Sequence, residues 1–275
     1  DDDDRVERRL PNASDRPGLA TLRAITRGAD GPALERRPSL RLGPQEARVA
    51  IAIAGVCRTD QLAAIGRIPV ADGRILGHEA SGVVVEIGSE VPRSWLNQRV
   101  SFDPSVPCGA CSLCRHTAGV QCDSPQRLGL ELDGVFADLA SVPTSALVAL
   151  PSSLPFDVAA FVEPVAATLG MLEALGQAAS RGPVGVAGEG RIAELTRRVL
   201  AAHGVEPVMV AGDCWLDAVV ETRLDAQTLA ASTAALRPGG TLVLKSRAPE
   251  PVSLDVGALQ RRGVVVRAVG PGSFS

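Results

Sequence analysis

Four cysteines, Cys108, Cys111, Cys114 and Cys122, stand in the stretch CGACSLCRHTAGVQC, and their spacing suits one tetrahedral zinc ion. Zinc takes four thiolates at about 2.3 Å, and two-residue gaps let a tight turn present its sulfurs from the same side. Gly109 and Gly119 supply permissive backbone, and Pro107 stiffens the entry. A metal-pinned lobe over residues 107–123 is therefore expected. Two disulfides are the competing chemistry, disfavoured because nothing marks the chain as secreted and it is otherwise poor in cysteine. Four thiolates fill the coordination sphere, so this ion stabilises the fold and leaves the chemistry to other residues. His116, inside the lobe, is read as a solvated side chain.

A second pattern is Gly188-Glu189-Gly190-Arg191-Ile192-Ala193, a G-x-G-x-x-A between the apolar run PVGVA and the helix-like RIAELTRRVLAAHG. In that strand–turn–helix setting, Gly188 and Gly190 permit a tight turn and close approach of a pyrophosphate to a helix N-terminus, with Ala193 closing the motif. The acidic residue that would hold the ribose hydroxyls belongs about 20 residues further on, where Asp213 ends VMVAGD. His203, followed by Gly204, fits a helix C-terminus. GVCRTD at 55–60, GHE at 77–79 and Glu163-Pro164 complete the set. Taken singly they read as a buried cysteine, a core histidine and a surface glutamate.

The elements that must position these residues fall into two groups. Residues 1–18, acidic and then mixed in charge, are expected to form a disordered tail. From Leu19 to about residue 150 the pattern is strand-like, in ARVAIAIAGV, ASGVVVEIG, QRVSFDP, GVFADLASVP and ALVAL, punctuated by Gly and Pro. A helix or helix pair follows over 154–176. Thereafter strand (PVGVA), helix (RIAELTRRVLAAHG), strands (EPVMVAG, LDAVVE), helix (AQTLAASTAAL), a turn at RPGG and strands (TLVLKS, VVVRAVG) alternate. That alternation predicts right-handed crossovers and a doubly wound parallel sheet, an α/β domain of Rossmann type.

Composition narrows the function. Lys and Arg total 28 against 31 Asp and Glu, and aromatics make up 3% of the chain, so neither a phosphate-neutralising stripe nor a stacking platform for nucleic acid is present. No apolar run approaches the roughly 20 residues that span a bilayer, and DDDDRVERR is the reverse of a signal peptide's basic start, so a cytoplasmic protein with no membrane partner is expected. With no tyrosine, the Tyr/Lys proton donor of short-chain dehydrogenases is excluded. Lys245 is the single lysine, leaving one candidate for a Schiff base. No G-x-S-x-G elbow supports a serine hydrolase.

Together, C-R-T-D, I-L-G-H-E, C-x2-C-x2-C-x7-C, E-P and G-x-G-x-x-A, in this order, resemble the zinc-containing medium-chain dehydrogenase/reductase superfamily over residues 19–275. ILGHEASGVVVEIG, FVEPVAATL and LRPGGTLVLKS add to the resemblance. It implies a GroES-like, strand-rich catalytic domain over 19–163 and a Rossmann-like nucleotide-binding domain over 164–275. It further implies a catalytic zinc held by Cys57, His78 and Glu163, with Glu79 as a nearby or exchanging carboxylate. Three mixed ligands leave a fourth position for water or a substrate oxygen. By the same resemblance Thr59 relays the alcohol proton, Asp60 orients the ligating histidine and Arg58 reaches the cofactor pyrophosphate. The implied activity is hydride transfer between NAD(P) and a secondary alcohol or ketone as small-molecule substrate, with two zinc ions per chain. A homodimer paired through VVVRAVG is also implied.

The chain departs from that pattern in three places. Only a few residues separate VMVAGD from LDAVVE, so about twenty residues of the nucleotide domain, a helix and an edge strand, are expected to be missing. Glu221-Thr222-Arg223 replaces the usual Thr-Gly, placing a long cation where bare backbone is expected. The chain also stops soon after VVVRAVG, before the usual return segment. These departures keep two alternatives open: a redox-neutral Lewis-acid enzyme on the same zinc, and a non-catalytic subunit.

Overall fold

The structure is a computed structural model that describes residues 21–39, 41–117, 122–210, 215–246 and 251–269. The expected tail over 1–18, Gly119, Asp213 and Cys214 lie outside the described residues. The chain divides into two compact units, Asp1–Glu163 and Pro164–Ser275.

The first unit opens with a hairpin of β1 (Thr21–Gly28) and β2 (Gly31–Pro38), an element hidden in the sequence by its four arginines and one glutamate. Strand β3 (Glu46–Gly55) leads into the short helix α1 (Arg58–Ala64), and β4 (Glu79–Ile87) follows the connecting loop. Then come β5 (Arg99–Phe102), β6 (Ser105–Val106), helix α2 (Ser112–Thr117), β7 (Gln126–Arg127), β8 (Leu139–Pro143) and β9 (Leu147–Ala149). Five strands form an antiparallel sheet in the order β8-β3-β4-β5-β9. Alternating apolar residues close its core, where Val49, Val84, Val100 and Phe102 are fully buried. Ala63 and Ala64 of α1 pack with Leu76 and Leu130, which sets the helix that follows Cys57 against the segment that ends at His78.

Two helices follow, α3 (Phe156–Ala159) and α4 (Val162–Leu175). Ser81 Oγ donates to the Phe156 carbonyl at 2.6 Å, and the Arg99 guanidinium lies 3.6 Å over the Phe156 ring. These contacts tie β4 and β5 to the segment leading to Glu163.

The second unit continues with α5 (Ala178–Arg181), β10 (Val184–Ala187), α6 (Arg191–Ala202), β11 (Val208–Met209), β12 (Leu216–Glu221), α7 (Ala226–Ala235), β13 (Leu236–Leu244), α8 (Val256–Arg261) and β14 (Val265–Ala268). Its five strands are all parallel, in the order β11-β10-β12-β13-β14. Every residue of β12 is buried, as a central parallel strand covered on both faces must be. One face packs Met171, Leu175 and Leu200 from α4 and α6, and the other packs Leu229 and Ala235 from α7. The fold is therefore α/β, a strand-rich GroES-like domain plus a shortened Rossmann-like sheet.

Two local expectations change. The turn expected at RPGG lies within β13, where Gly239 at φ +75° takes up the kink and the pairing with β12 shifts register. Helix α8 is additional; its start is set by Asp255, whose carboxylate accepts the Ala258 N–H at 2.8 Å.

Candidate functional site

Cys57 is the N-cap of α1, in extended backbone conformation, and the first turn of that helix carries Asp60. The two oxygens of Asp60 serve two purposes. Oδ2 accepts the Cys57 backbone N–H at 2.8 Å, closing the helix start, while Oδ1 lies 2.8 Å from His78 Nδ1. An ionised carboxylate only accepts, so Nδ1 carries the proton and faces Asp60, and Nε2 is left for another partner. Burial lowers the basicity of His78, but the bonds to Asp60 and Cys57 outweigh it and raise its pKa well above the ordinary value. The surroundings of His78 thus favour a positive charge beside a thiol and a carboxylate, which is the charge a cation would bring.

The ligand atoms of Cys57, His78 and Glu79 all lie within 4.8 Å of one another. Cys57 is half-buried and the other two are buried, a mixed S/N/O set with the softness and charge that suit zinc. Glu163, in the first turn of α4 and half-buried, is not in that group. Thr59 is half-buried in the first turn of α1, and Arg58 beside it is exposed.

Sequence reasoning missed what holds His78 in place. Gly77 has φ +94°, and a Cβ there would lie 2.2 Å from the Phe136 ring. Val135 donates its N–H to the Gly77 carbonyl at 3.1 Å, while Gly129 and Gly134 approach Gly77 too closely for any side chain of their own. The D-G-V-F run at 133–136 was the available signal. Asp60→Ala is expected to weaken metal binding at this group by about 10- to 100-fold, the usual cost of losing the partner behind a ligating histidine. A competition titration with a chromogenic chelator measures this, and unchanged affinity would contradict the assignment.

The four lobe cysteines also converge, with ligand atoms within 4.8 Å of one another. Cys108 Sγ and Cys114 Sγ are 3.9 Å apart, close to the roughly 3.8 Å edge of a zinc–thiolate tetrahedron with 2.3 Å bonds. This is far beyond a disulfide bond, and all five described cysteines are free. Backbone N–H groups of Asp123 and Cys114 pull Cys111 down to about 6, whereas burial pushes Cys114 up to about 12. Four crowded sulfurs cannot all ionise without a cation, so the donor set fits zinc. His116 is exposed, its Nδ1 2.7 Å from the Ser112 carbonyl, outside the sulfur group.

In the second unit, β10 ends at Ala187 and the glycine loop follows, with Gly188 at φ +108° and Gly190 at φ +91°. Gly190 is the N-cap of α6 and provides no side-chain cap, and the space where its Cβ would stand is open for 4 Å. The N-terminus of a twelve-residue helix thus meets the loop with no side-chain cap from Gly190, which fits a diphosphate. Ala193 is fully buried against the sheet. His203 caps the other end of α6, its Nδ1 2.8 Å from the Val199 carbonyl.

A GroES-like unit with a Cys/His/Glu group and a four-cysteine lobe, joined to a Rossmann-like unit with an open glycine loop, defines a zinc-type dehydrogenase architecture. Residues 43–152 match the alcohol dehydrogenase GroES-like domain family. Beyond that domain the chain is similar to members of the zinc-containing medium-chain dehydrogenase/reductase superfamily. It is 32% identical over 136 residues to an L-threonine 3-dehydrogenase of Chelativorans sp. (strain BNC1), covering 48% of this chain and 40% of that protein. It is 30% identical over 172 residues to that of Thermococcus kodakarensis, covering 61% and 49%. The matched stretch therefore spans half or less of these relatives. A solved zinc-binding dehydrogenase from Sinorhizobium meliloti 1021, bound to NADP, superposes with a TM-score of 0.81 at 26% identity, over 92% of this chain and 85% of that one.

Proposed function

We propose that this chain is a zinc-dependent oxidoreductase that transfers a hydride between a nicotinamide cofactor and a secondary alcohol or ketone. The observation that carries the reading is the Cys57–His78–Glu79 group with Asp60 behind the histidine. Two zinc ions per chain are proposed, one in the lobe and one at this group. The second is held by Cys57, His78 and a carboxylate. Glu79 is the carboxylate within reach in this arrangement, and Glu163 is the one the family resemblance supplies. A zinc ion there supplies Lewis acidity to an alcohol or carbonyl oxygen, and a bound nicotinamide accepts or donates the hydride.

This chain's residues do the rest. Asp60 fixes the ring orientation of His78 and keeps its proton on Nδ1. The Thr59 hydroxyl, two residues from the thiolate, relays the alcohol proton, accepting it while passing its own on towards solvent. Gly188, Gly190 and Ala193 form the cradle for the cofactor diphosphate, with Arg58 and Asp213 as further cofactor contacts. Two copies pair in this reading as a homodimer through the outer edge of β14, whose four residues are all exposed, and the protein is taken as cytoplasmic. Light scattering that gives a monomer would overturn that pairing.

The second reading, redox-neutral Lewis-acid chemistry on the same residues, is favoured by one observation: β11, two residues long, is the sheet's edge. Nicotinamide fluorescence titration of the zinc-loaded protein separates the two. Saturable binding of NADH or NADPH supports hydride transfer. No binding of either at millimolar concentration contradicts it, and Cys57-dependent turnover without nicotinamide selects the second.

A further inference from the structure

Arg223, where the family resemblance leads one to expect bare glycine backbone, follows β12 at the carboxyl edge of the parallel sheet. There it meets the glycine loop. The position that a Cβ would take at Gly188 is 2.6 Å from Thr222 Oγ1, 3.1 Å from Arg223 Cβ and 3.2 Å from the Arg223 backbone nitrogen. The Thr222–Arg223 pair is therefore packed against the first glycine of the loop. Both partners are pinned. Thr222 donates its N–H and its hydroxyl to the Ala187 carbonyl at 2.9 and 2.8 Å, and Arg197 Nη2 donates to the Gly188 carbonyl at 3.2 Å.

The side chain of Arg223 is held more weakly. Its Nε pairs with Asp225 Oδ2 at 3.0 Å, and the two side chains are 60% and 42% exposed. An exposed pair of this kind contributes about 1 kcal/mol or less and exchanges readily. Asp225 does not need it, because its other oxygen, Oδ1, accepts the Thr228 N–H at 2.8 Å as the N-cap of α7. A diphosphate on the loop would draw a further cation, beyond exposed Arg191 next to Gly190 and Arg197 on the Gly188 carbonyl. Glu189 stands exposed between the two glycines and adds negative charge where a diphosphate would bring more. The fixed backbone of Arg223 sets its long side chain at the rim of this loop.

Resting on the dinucleotide reading above, we propose that Arg223 is a diphosphate-binding residue of this chain. Its guanidinium exchanges Asp225 for the cofactor diphosphate on the Gly188–Gly190 loop. The residue that departs most from the family pattern then becomes a cofactor contact of its own, offsetting Glu189.

The test is calorimetric or fluorescence titration of the zinc-loaded protein with NADH and with ADP-ribose, at low and high salt. Arg223→Ala is expected to weaken both by about 10- to 100-fold, the worth of one charge-assisted bond to phosphate, and to flatten the salt dependence. Arg223→Lys keeps the charge and is expected to lie between that variant and the parent. Asp225→Asn preserves the helix cap while releasing the arginine, and is expected to bind at least as tightly as the parent. Parent-like affinity and salt slope in Arg223→Ala would overturn the proposal while leaving the dinucleotide reading intact. A parent protein that binds neither ligand would overturn both. Because the side chain is exposed, melting curves of the three variants are expected to match the parent's.

Discussion

Cys57→Ala is expected to lower kcat/KM for alcohol oxidation by about a thousandfold or more while leaving the protein folded. The effect follows from the composition of the group. Without the thiolate, His78 and a carboxylate alone must hold the ion, and the polarisation of the substrate oxygen, worth several kcal/mol, is lost. Every 1.36 kcal/mol corresponds to tenfold in rate, so three such steps give the thousandfold. The fold persists because Cys57 is a half-buried helix cap, and Asp60 still accepts the N–H of residue 57. Steady-state kinetics beside a melting curve decide the matter. A rate within tenfold of the parent would remove Cys57 from the metal site.

The second large effect concerns stability. The double variant Cys108→Ser/Cys111→Ser is expected to lose about 3 kcal/mol, roughly a 5 °C fall in melting temperature for a chain of this size. The lobe has little else to hold it. Helix α2 is six residues long, too short to persist alone, and β6 and β7 pair over two residues each. Of its cysteines only Cys114 is buried. Metal loss should therefore open the lobe locally, so limited proteolysis is expected to cut within residues 107–123 in the variant or after chelation. An unchanged melting temperature with an uncut lobe would mean that packing, not metal, holds these residues.

Much of this was legible because metal ligation and phosphate binding impose short-range patterns on sequence. Two-residue gaps between cysteines bring four sulfurs together, and two glycines precede an amphipathic helix; the structure shows the four ligand atoms within 4.8 Å and the glycine turn ahead of α6. The regular alternation of the second unit likewise gave the parallel sheet. What escaped depends on contacts between distant segments. The hairpin of β1 and β2 carries charge on residues that face solvent, so its periodicity is masked. The support of His78 arises because Phe136 and Gly134 reach Gly77 across more than fifty residues, a proximity that spacing does not encode. Glu163 entered by resemblance alone, whereas the fold groups Glu79 with Cys57 and His78.

The same distinction applies to Arg223. In sequence it is a long cation in place of glycine, an apparent obstacle to a cofactor. In the fold its backbone is fixed against Gly188, and its side chain is held by one exposed ion pair.

The Cys57 group is proposed as a second, catalytic zinc site distinct from the lobe. Its most direct test is the zinc content of the purified chain and of Cys57→Ala, measured alongside alcohol-dependent reduction of NAD(P). The expected result is two zinc ions per chain with activity in the parent, and one zinc ion without activity in the variant. Equal zinc content in the two proteins, or activity that persists in metal-free protein, would contradict it.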